Sequence, residues 1–249
     1  MNSQTRHSNY PLPNIENVLV KQGKNQIFSI LDLCKAFHQQ PMHPESRHLT
    51  CTTTPNGIFQ WRVNVMGLTN ASAQFQQMMD DRLEPVAEHS DAYIDDILTG
   101  SCVKPEEPAG DVVEAHYHDL VELLDVLEKE GFVADIDKSH LFVPEVEWCG
   151  HILGKGVRRP SPGRLMAIEK WEVPATITEL RAFLGFTNYY STYIHEYAKI
   201  VAGLQDKLQV PHEVGKKGSR SKISWEPADQ EAFDKNQKNV FCQNWSCKQ

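Results

Sequence analysis

The chain carries two adjacent carboxylates, Asp95 and Asp96, inside the otherwise apolar run at residues 93–98. At the tip of a hairpin, the two charges would be partly buried beside one another, where unpaired charge is costly and a cation is the natural partner. Magnesium binds proteins through one or two carboxylates together with substrate phosphates. The run therefore indicates either a phosphoryl-transfer site or an ordinary solvated turn, in which aspartate is also common.

A third acid, Asp32, lies in the apolar segment at residues 28–33, which is typical of a short buried strand. A lone buried aspartate needs a partner for its charge. If this strand lies beside the hairpin that carries Asp95 and Asp96, the three acids form a cluster that repels itself. Two metal ions roughly 3.5–4 Å apart would neutralise such a cluster. The alternative for Asp32 is a strand-end residue that caps the next turn.

Length, composition and charge limit the class of protein. The 249 residues allow one large domain or two small ones, and a hydrophobic content of 40% is enough for a core. Without a membrane-length apolar stretch, an N-terminal signal core or zinc-type cysteine pairs, we expect an intracellular chain with reduced thiols and no membrane partner. The net charge of −8 argues against a simple nucleic-acid binder, and the basic segment at 216–222 is either a local phosphate contact or a solvated loop.

The elements that must position the acids can be predicted from hydrophobic spacing and turn residues. The predicted hairpins and strands cover residues 48–65, 91–101, 132–134, 140–143, 146–149 and 151–153, with a loop at 104–110. The predicted helices cover residues 70–83, 111–131, 162–171, 177–187, 189–207 and 227–240. Hairpins with helices packed on one side are typical of an α+β fold.

A series of short motifs runs through the chain from about residue 10 to residue 235. In chain order they lie at 10–15, 31–33 with 37–39, 43–47, 67–76, 93–98, 150–151, 167–181 and 183–190. In this order the set resembles the reverse transcriptase of gypsy-type LTR retrotransposons and, more distantly, retroviral reverse transcriptases. An Asp-Asp pair alone would be a weak signal, whereas the ordered set is a specific one.

The resemblance implies a right-hand polymerase palm with part of the fingers, followed by a mostly helical thumb and the start of a connection region. The implied domains are an extended N-terminal remnant of the fingers at 1–26, the palm with partial fingers at 27–154, and the thumb with the connection at 155–249. The implied activity is RNA-directed DNA polymerisation, in which a primer 3′-hydroxyl attacks a deoxynucleoside triphosphate on an RNA or DNA template. Other Pol polyprotein domains are further implied partners, in a cytoplasmic particle or the nucleus.

The same resemblance implies roles for individual residues. Asp32, Asp95 and Asp96 would be the catalytic acids that hold two Mg²⁺ ions, with Mn²⁺ as an alternative, and the backbone of Leu33 would complete this site beside the triphosphate. Phe37 matches the bulky residue that lies under the sugar and excludes a 2′-hydroxyl by a steric clash. On spacing alone, Phe37 is equally a core aromatic.

Four further residues are expected at the nucleotide and the primer. Met66 stands where the family usually has an aromatic residue near the nucleotide, within a segment that also lacks the family's proline. Tyr93 would pack against the primer end. Trp148 and Gly150 correspond to the primer-grip hairpin, where glycine allows a close backbone approach. The alternative for Tyr93 and for Trp148 is a place in the hydrophobic core.

Two functional hypotheses of different classes remain for what we expect to be a piece of a Pol polyprotein. The first is an active polymerase module, which the intact acids favour. The second is a catalytically dead, truncated retroelement-derived fold that at most binds nucleic acid, which the altered segment around Met66 and the short N-terminal fingers favour. A third hypothesis, a palm-fold nucleotide cyclase, fits the helical motifs after residue 160 poorly.

Overall fold

The computed structural model describes residues 2, 5–103, 111–209 and 223–245. The predicted loop at 104–110 and the basic segment at 216–222 lie outside these residues. The chain divides into two compact units, residues 1–158 and 159–249. Helices and strands are mixed in the way that the sequence predicts, which confirms the α+β class.

Eight of the nine strands of the described residues lie within the first unit, and the ninth begins in it and ends after the division. In chain order its elements are α1 (Ile15–Gln22), β1 (Ile27–Leu33), α2 (Ala36–Gln39), β2 (Thr52–Thr54), β3 (Gly57–Phe59), α3 (Ala71–Leu83), β4 (Ser90–Tyr93), β5 (Asp96–Ser101), α4 (Val112–Glu130), β6 (Ala134–Val143), β7 (Glu145–Trp148), β8 (His151–Gly154) and β9 (Val157–Pro160). Strands β2 and β3 form a two-stranded sheet within the predicted hairpin at 48–65.

A four-stranded antiparallel sheet with the strand order β4-β5-β1-β6 forms the centre of this unit. The register between β1 and β5 runs without interruption from the pair Ile27 and Ser101 to the pair Asp32 and Asp96. A second sheet has the order β7-β8-β9. The regular β1–β5 register fixes which residues meet at the end of the central sheet.

Both faces of the central sheet are covered, because successive residues of a strand point to opposite faces. Helices α3 and α4 cover one face, in a core that contains Leu31, Leu33, Phe75, Met79, Ile97 and Leu123. Helix α1 and the β7–β8 hairpin cover the other face, in a core that contains Leu19, Phe28, Leu98, Val146 and Trp148. Alternate residues of a strand point to the same face, so Asp32 shares the face of Phe28 on β1 and Asp96 shares the face of Leu98 on β5. Their side chains therefore project toward the face that carries the β7–β8 hairpin.

The expectation of an extended segment over residues 1–26 is wrong for residues 15–22, which form helix α1. The side chain of Asn14 caps this helix by accepting a hydrogen bond of 2.9 Å from the backbone N–H of Glu16. Ile15, Val18 and Leu19 have the i, i+3, i+4 spacing of one helix face, and this face packs in the core on that side of the sheet. The cap and the spacing were both present in the sequence.

A buried polar network ties α4 to the central sheet. His116 of α4 is fully buried, with Nε2 at 2.7 Å from Ser29 Oγ on β1 and Nδ1 at 2.8 Å from Ser101 Oγ on β5. Ser101 donates to Asp119 Oδ2 at 2.5 Å, and Ser29 accepts from the backbone N–H of Phe142 on β6 at 3.1 Å. Burial lowers the pKa of His116. The network therefore holds a neutral imidazole between β1 and β5. It fixes β1 at Ser29, three residues from Asp32, and β5 at Ser101, five residues from Asp96.

The second unit is helical over its described residues after β9. Its α-helices are α5 (Pro162–Glu169), α6 (Ile177–Tyr189), α7 (Tyr197–Asp206) and α8 (Pro227–Trp245). The predicted capping box of Thr176 and Glu179 at the start of α6 is confirmed. The predicted helix at 189–207 is wrong in its first part, because a 3₁₀ turn and Glu196, at φ 54°, separate α6 from α7. Among the described residues, no helix is both long and apolar enough to cross a membrane.

Candidate active site

Three aspartates lie together at one end of the central sheet. Asp32 of β1 and Asp96 of β5 are directly opposite one another in the antiparallel register. Asp95 lies in the turn between β4 and β5, and its carbonyl oxygen accepts a hydrogen bond of 3.2 Å from the N–H of Leu33. The predicted juxtaposition of the three acids is therefore present, and the amide of Leu33 supports it. Their role as metal ligands stays a prediction.

The electrostatics of this cluster favour a cation. The pKa of Asp96 lies above its ordinary value, mainly because the half-buried carboxyl is poorly solvated and also because Asp95 and Asp32 add negative charge nearby. A cation bound among the three acids would offset the charges of Asp95 and Asp32 and so reverse their contribution to the pKa of Asp96. The cluster thus holds three like charges close together, and a bound cation would stabilise them.

Lys138 of β6 supplies a cation at the edge of this cluster. Its Nζ atom lies 3.5 Å from Asp32 Oδ1 and 3.4 Å from Asp135 Oδ2. The hydrogen bond to Asp135, followed by the charge of Asp32, raises the pKa of Lys138. Sequence reasoning missed both residues, because a lysine three positions after an aspartate in a polar segment carries no distinctive signal.

The donor chemistry of the cluster fits a divalent metal, since Asp32, Asp95 and Asp96 offer the oxygen ligands that Mg²⁺ prefers. The side chains are nevertheless not arranged as a finished site. Over the ranges that the structure describes, no group of three or more His, Cys, Asp or Glu side chains could hold a metal ion as positioned. The backbone therefore brings the acids together, while their carboxylate oxygens do not converge on one point.

The turn that carries Asp95 has a strained backbone and a specific support. Ile94 has φ 57°, in the left-handed region that β-branched residues rarely adopt. Gln76 of α3, which is fully buried, accepts a hydrogen bond of 2.7 Å from the N–H of Ile94 through Oε1. Its Nε2 donates to the carbonyl oxygen of Ala92 at 3.0 Å. One side chain thus holds the backbone on both sides of Tyr93.

The turn between β7 and β8 lies beside the same acids. Burial raises the pKa of Cys149 to about 12, and the charges of Asp96 and Asp95 contribute to the shift. Cys149 and Gly150 both have a positive φ, at 48° and 76°, as a tight turn requires. Trp148, by contrast, is only 1% exposed. The indole therefore lies in the hydrophobic core, and the contact with a primer that the sequence indicates stays a prediction.

Tyr93 and Trp148 belong to the packing beneath the site. Their rings make an edge contact with centroids 6.3 Å apart, and Tyr93 is half-buried. Burial raises the pKa of Tyr93. The core placement that the sequence left open for both residues is present, and Tyr93 keeps an exposed part that a ligand can contact.

The family follows from a comparison with known proteins. The family described as "Reverse transcriptase (RNA-dependent DNA polymerase)" matches residues 1–153, more than half of the chain. The chain belongs to the reverse transcriptase family. This confirms the resemblance that the ordered motifs indicated.

Relatives of this reverse transcriptase chain include Pol polyproteins of Drosophila melanogaster transposons. The chain is 32% identical to the Pol polyprotein from transposon 297 over 237 residues, which is 94% of the chain and 21% of the relative. It is 29% identical to the polyprotein from transposon gypsy over 242 residues, 97% of the chain and 22% of the relative. The chain thus spans about a fifth of the length of these relatives.

Solved reverse transcriptases share the fold. A foamy viral protease-reverse transcriptase in complex with double-stranded DNA matches with a TM-score of 0.80 at 19% identity, over 96% of this chain and 39% of that one. The foamy viral protein in complex with an RNA/DNA hybrid matches with a TM-score of 0.77, over 96% of this chain and 30% of that one. These matches confirm the predicted palm and helical-thumb architecture.

Two residues expected at the nucleotide differ in their surroundings. Phe37 of this reverse transcriptase chain is half-buried and packs on Phe75, with ring centroids 5.4 Å apart. Met66 is 77% exposed, so its side chain projects into solvent. Phe37 therefore has a fixed ring position, whereas the structure gives Met66 no packing that would fix a nucleotide pocket.

Proposed function

We propose that the chain is the RNA-directed DNA polymerase module of a retrotransposon Pol polyprotein. The observation that carries the proposal is the placement of Asp32 opposite Asp96, with Asp95 in the adjoining turn. Membership of the reverse transcriptase family and the similarity to transposon Pol polyproteins support it. The reaction is the transfer of a deoxynucleotide to a primer 3′-hydroxyl, with release of pyrophosphate.

The acids and their neighbours have separate tasks in this proposal. Asp32, Asp95 and Asp96 would hold two Mg²⁺ ions, or Mn²⁺, beside the backbone of Leu33. When bound, such a pair lowers the pKa of the attacking hydroxyl and stabilises charge on the leaving oxygens. Gln76 keeps the turn in place, so that the carboxylates of the turn do not drift during the reaction.

The aromatic residues and the β7–β8 turn would orient the substrates. The ring of Phe37, held by Phe75, would clash with a 2′-hydroxyl and so select deoxynucleotides, with Met66 at the nucleotide's edge. The exposed part of Tyr93 and the backbone at Gly150 would contact the primer end. Trp148 would act beneath them, through its packing on Tyr93.

The proposed partners are a template with its primer, deoxynucleoside triphosphates and the other domains of a Pol polyprotein. The foamy viral proteins with this fold were solved with double-stranded DNA and with an RNA/DNA hybrid, which supports a nucleic-acid duplex as the substrate here. We place the palm with partial fingers at 27–154 and the thumb with the connection at 155–249. The division of the chain after residue 158 supports this boundary. The site of action would be a cytoplasmic particle or the nucleus.

Primer extension on an RNA template with Mg²⁺ tests the proposal. The wild-type chain should extend the primer, and Asp95→Asn should lower the rate by about 10²–10³ or more, because it removes a charge aimed at the reacting centre. Asp125→Asn is the matched control, since Asp125 is an exposed aspartate of α4. Equal extension by wild type and Asp95→Asn would refute the metal assignment. No extension by folded wild type with either metal would favour a fold that only binds nucleic acid.

A further inference from the structure

The support of the acid-bearing turn continues beyond Gln76 into the N-terminal segment. Asp80, one helical turn after Gln76 on α3, accepts a hydrogen bond of 2.7 Å from Gln76 Nε2 through its Oδ1 atom. Its other oxygen, Oδ2, accepts a hydrogen bond of 2.5 Å from the hydroxyl of Tyr10. A continuous chain of side-chain contacts thus joins Tyr10 to the backbone of Ile94.

Asp80 contributes, together with the carbonyl oxygen of Ala92, to the orientation of the amide of Gln76. An ionised carboxylate only accepts hydrogen bonds, so it must face the nitrogen of the amide. That choice turns Oε1 toward the N–H of Ile94, which needs an acceptor. With the amide reversed, its NH₂ group would face the donor of Ile94, and the carbonyl oxygen would face the carboxylate. Without Asp80, only the carbonyl oxygen of Ala92 and the N–H of Ile94 would oppose this reversed orientation.

Tyr10 in turn holds the carboxylate of Asp80. Hydrogen bonds to a charged acceptor are stronger than those between neutral groups. The hydrogen bond to Asp80 is the main reason that the pKa of Tyr10 rises to about 12, so the phenol remains a donor over the whole physiological range. The backbone N–H of Tyr10 is itself tied to Ser8 Oγ at 3.3 Å, and the N–H of Ser8 is tied to Asn70 Oδ1 at 3.0 Å. The position of the phenol is therefore defined from both sides.

We propose that Tyr10 and Asp80 are positioning residues for the acid-bearing turn, acting through Gln76. Because Ile94 holds a backbone conformation that β-branched residues disfavour, the turn depends on hydrogen bonds from outside it. Gln76 supplies these bonds, Asp80 helps to fix the orientation of Gln76, and Tyr10 fixes Asp80. The catalytic meaning of this positioning rests on the proposed polymerase function, whereas the positioning itself does not.

Hydrogen exchange at the amide of Ile94, measured by NMR on metal-free protein, tests the positioning directly. Tyr10→Phe removes only the hydroxyl and should speed the exchange of this amide about tenfold, the factor that corresponds to the loss of one hydrogen bond of ordinary net strength. Asp80→Asn should have at least the same effect, because it removes the charge that helps to orient the amide of Gln76. Tyr117→Phe is the matched control, since Tyr117 is 56% exposed on α4.

Steady-state primer extension supplies the second measurement. Tyr10→Phe and Asp80→Asn should lower kcat about tenfold and leave KM for the template-primer unchanged, because the turn positions carboxylates rather than the duplex. Circular dichroism identifies any variant that fails to fold, and the other variant then decides.

The outcomes separate the two proposals. Unchanged exchange at Ile94 in Tyr10→Phe would overturn the positioning role. Faster exchange with an unchanged kcat in an active enzyme would overturn its catalytic meaning. If the wild type extends no primer, the polymerase proposal fails. The exchange of Ile94 in the two variants still decides whether Tyr10 and Asp80 position the turn.

Discussion

Replacing Ser29 by alanine removes one oxygen atom and should lower the free energy of unfolding of the first unit substantially. Ser101 donates to Asp119, so its oxygen must accept from Nδ1–H of His116. Nε2 of the neutral imidazole is then an acceptor, and Ser29 donates to it while accepting from the N–H of Phe142. In Ser29→Ala the imidazole loses its donor, and Phe142 loses its acceptor.

The cost follows from the burial of these groups. His116 is fully buried, so its unsatisfied nitrogen carries the full desolvation penalty of about 1–3 kcal/mol. Phe142 is 39% exposed, so water can replace the acceptor of its N–H in part and its loss costs less. Together the two losses give about 2–3 kcal/mol. With a urea m-value of about 2–3 kcal/mol/M, the denaturation midpoint should fall by about 1 M.

Urea denaturation followed by circular dichroism measures this midpoint, with Ser224→Ala, at an exposed serine, as the control. A second test replaces both partners. Ser29→Ala combined with His116→Phe should be less destabilised than the sum of the single variants, because no buried nitrogen is left without a donor. The reasoning would be refuted if Ser29→Ala shifted the midpoint no more than Ser224→Ala, or if the double variant were additive.

Two further predictions concern the stability of the fold at low pH and the packing around a glycine. Burial lowers the pKa of His151 to about 4, from about 6.5 in the unfolded chain, so its contribution to stability is full above pH 6.5 and is lost as the pH falls toward 4. Urea midpoints across this window should fall by the equivalent of about 3 kcal/mol, and His151→Gln should flatten the profile; an unchanged slope would contradict the assignment. Gly100→Ala should cost about 1–3 kcal/mol, because the added Cβ would lie 2.4 Å from Asn25 Nδ2 and 2.5 Å from Gln22 Oε1. Gly163→Ala, with open space around the added Cβ, should be neutral or stabilising in the same urea denaturation, and similar losses in both variants would contradict the packing argument.

The meeting of the three acids could be predicted because it depends on local pattern. Asp32 lies near the end of one apolar segment, and Asp95 and Asp96 lie at the predicted tip of a hairpin, so pairing of the strands brings the three together. Helix α1 could also have been predicted, since Asn14 is a good cap and Val18 and Leu19 lie on one helix face. The Pro-containing, polar composition of the segment outweighed this signal.

The support of the turn could not be predicted in the same way. Gln76 lies on a helix, where a glutamine is ordinarily solvated, and only the packing of α3 on the sheet buries it. The predicted helix at 189–207 is interrupted at a place where the sequence has no helix-breaking glycine or proline, and Glu196 there adopts a positive φ. The burial of Gln76 thus arises from tertiary packing, and the segment that interrupts the helix buries Tyr190 and Ile194 in the core of the second unit.

The lysine of β6 has a consequence for experiments on the metal-free chain. Because Lys138 lies near Asp32 and Asp135, the fold carries its own counter-ion at the acidic end of the sheet. The largely exposed ammonium of Lys138 therefore balances part of the charge of Asp32 before any divalent ion binds. Under the proposed polymerase function, a chelator should stop primer extension while the circular dichroism spectrum stays that of the folded chain, so that the loss of extension would report on chemistry alone.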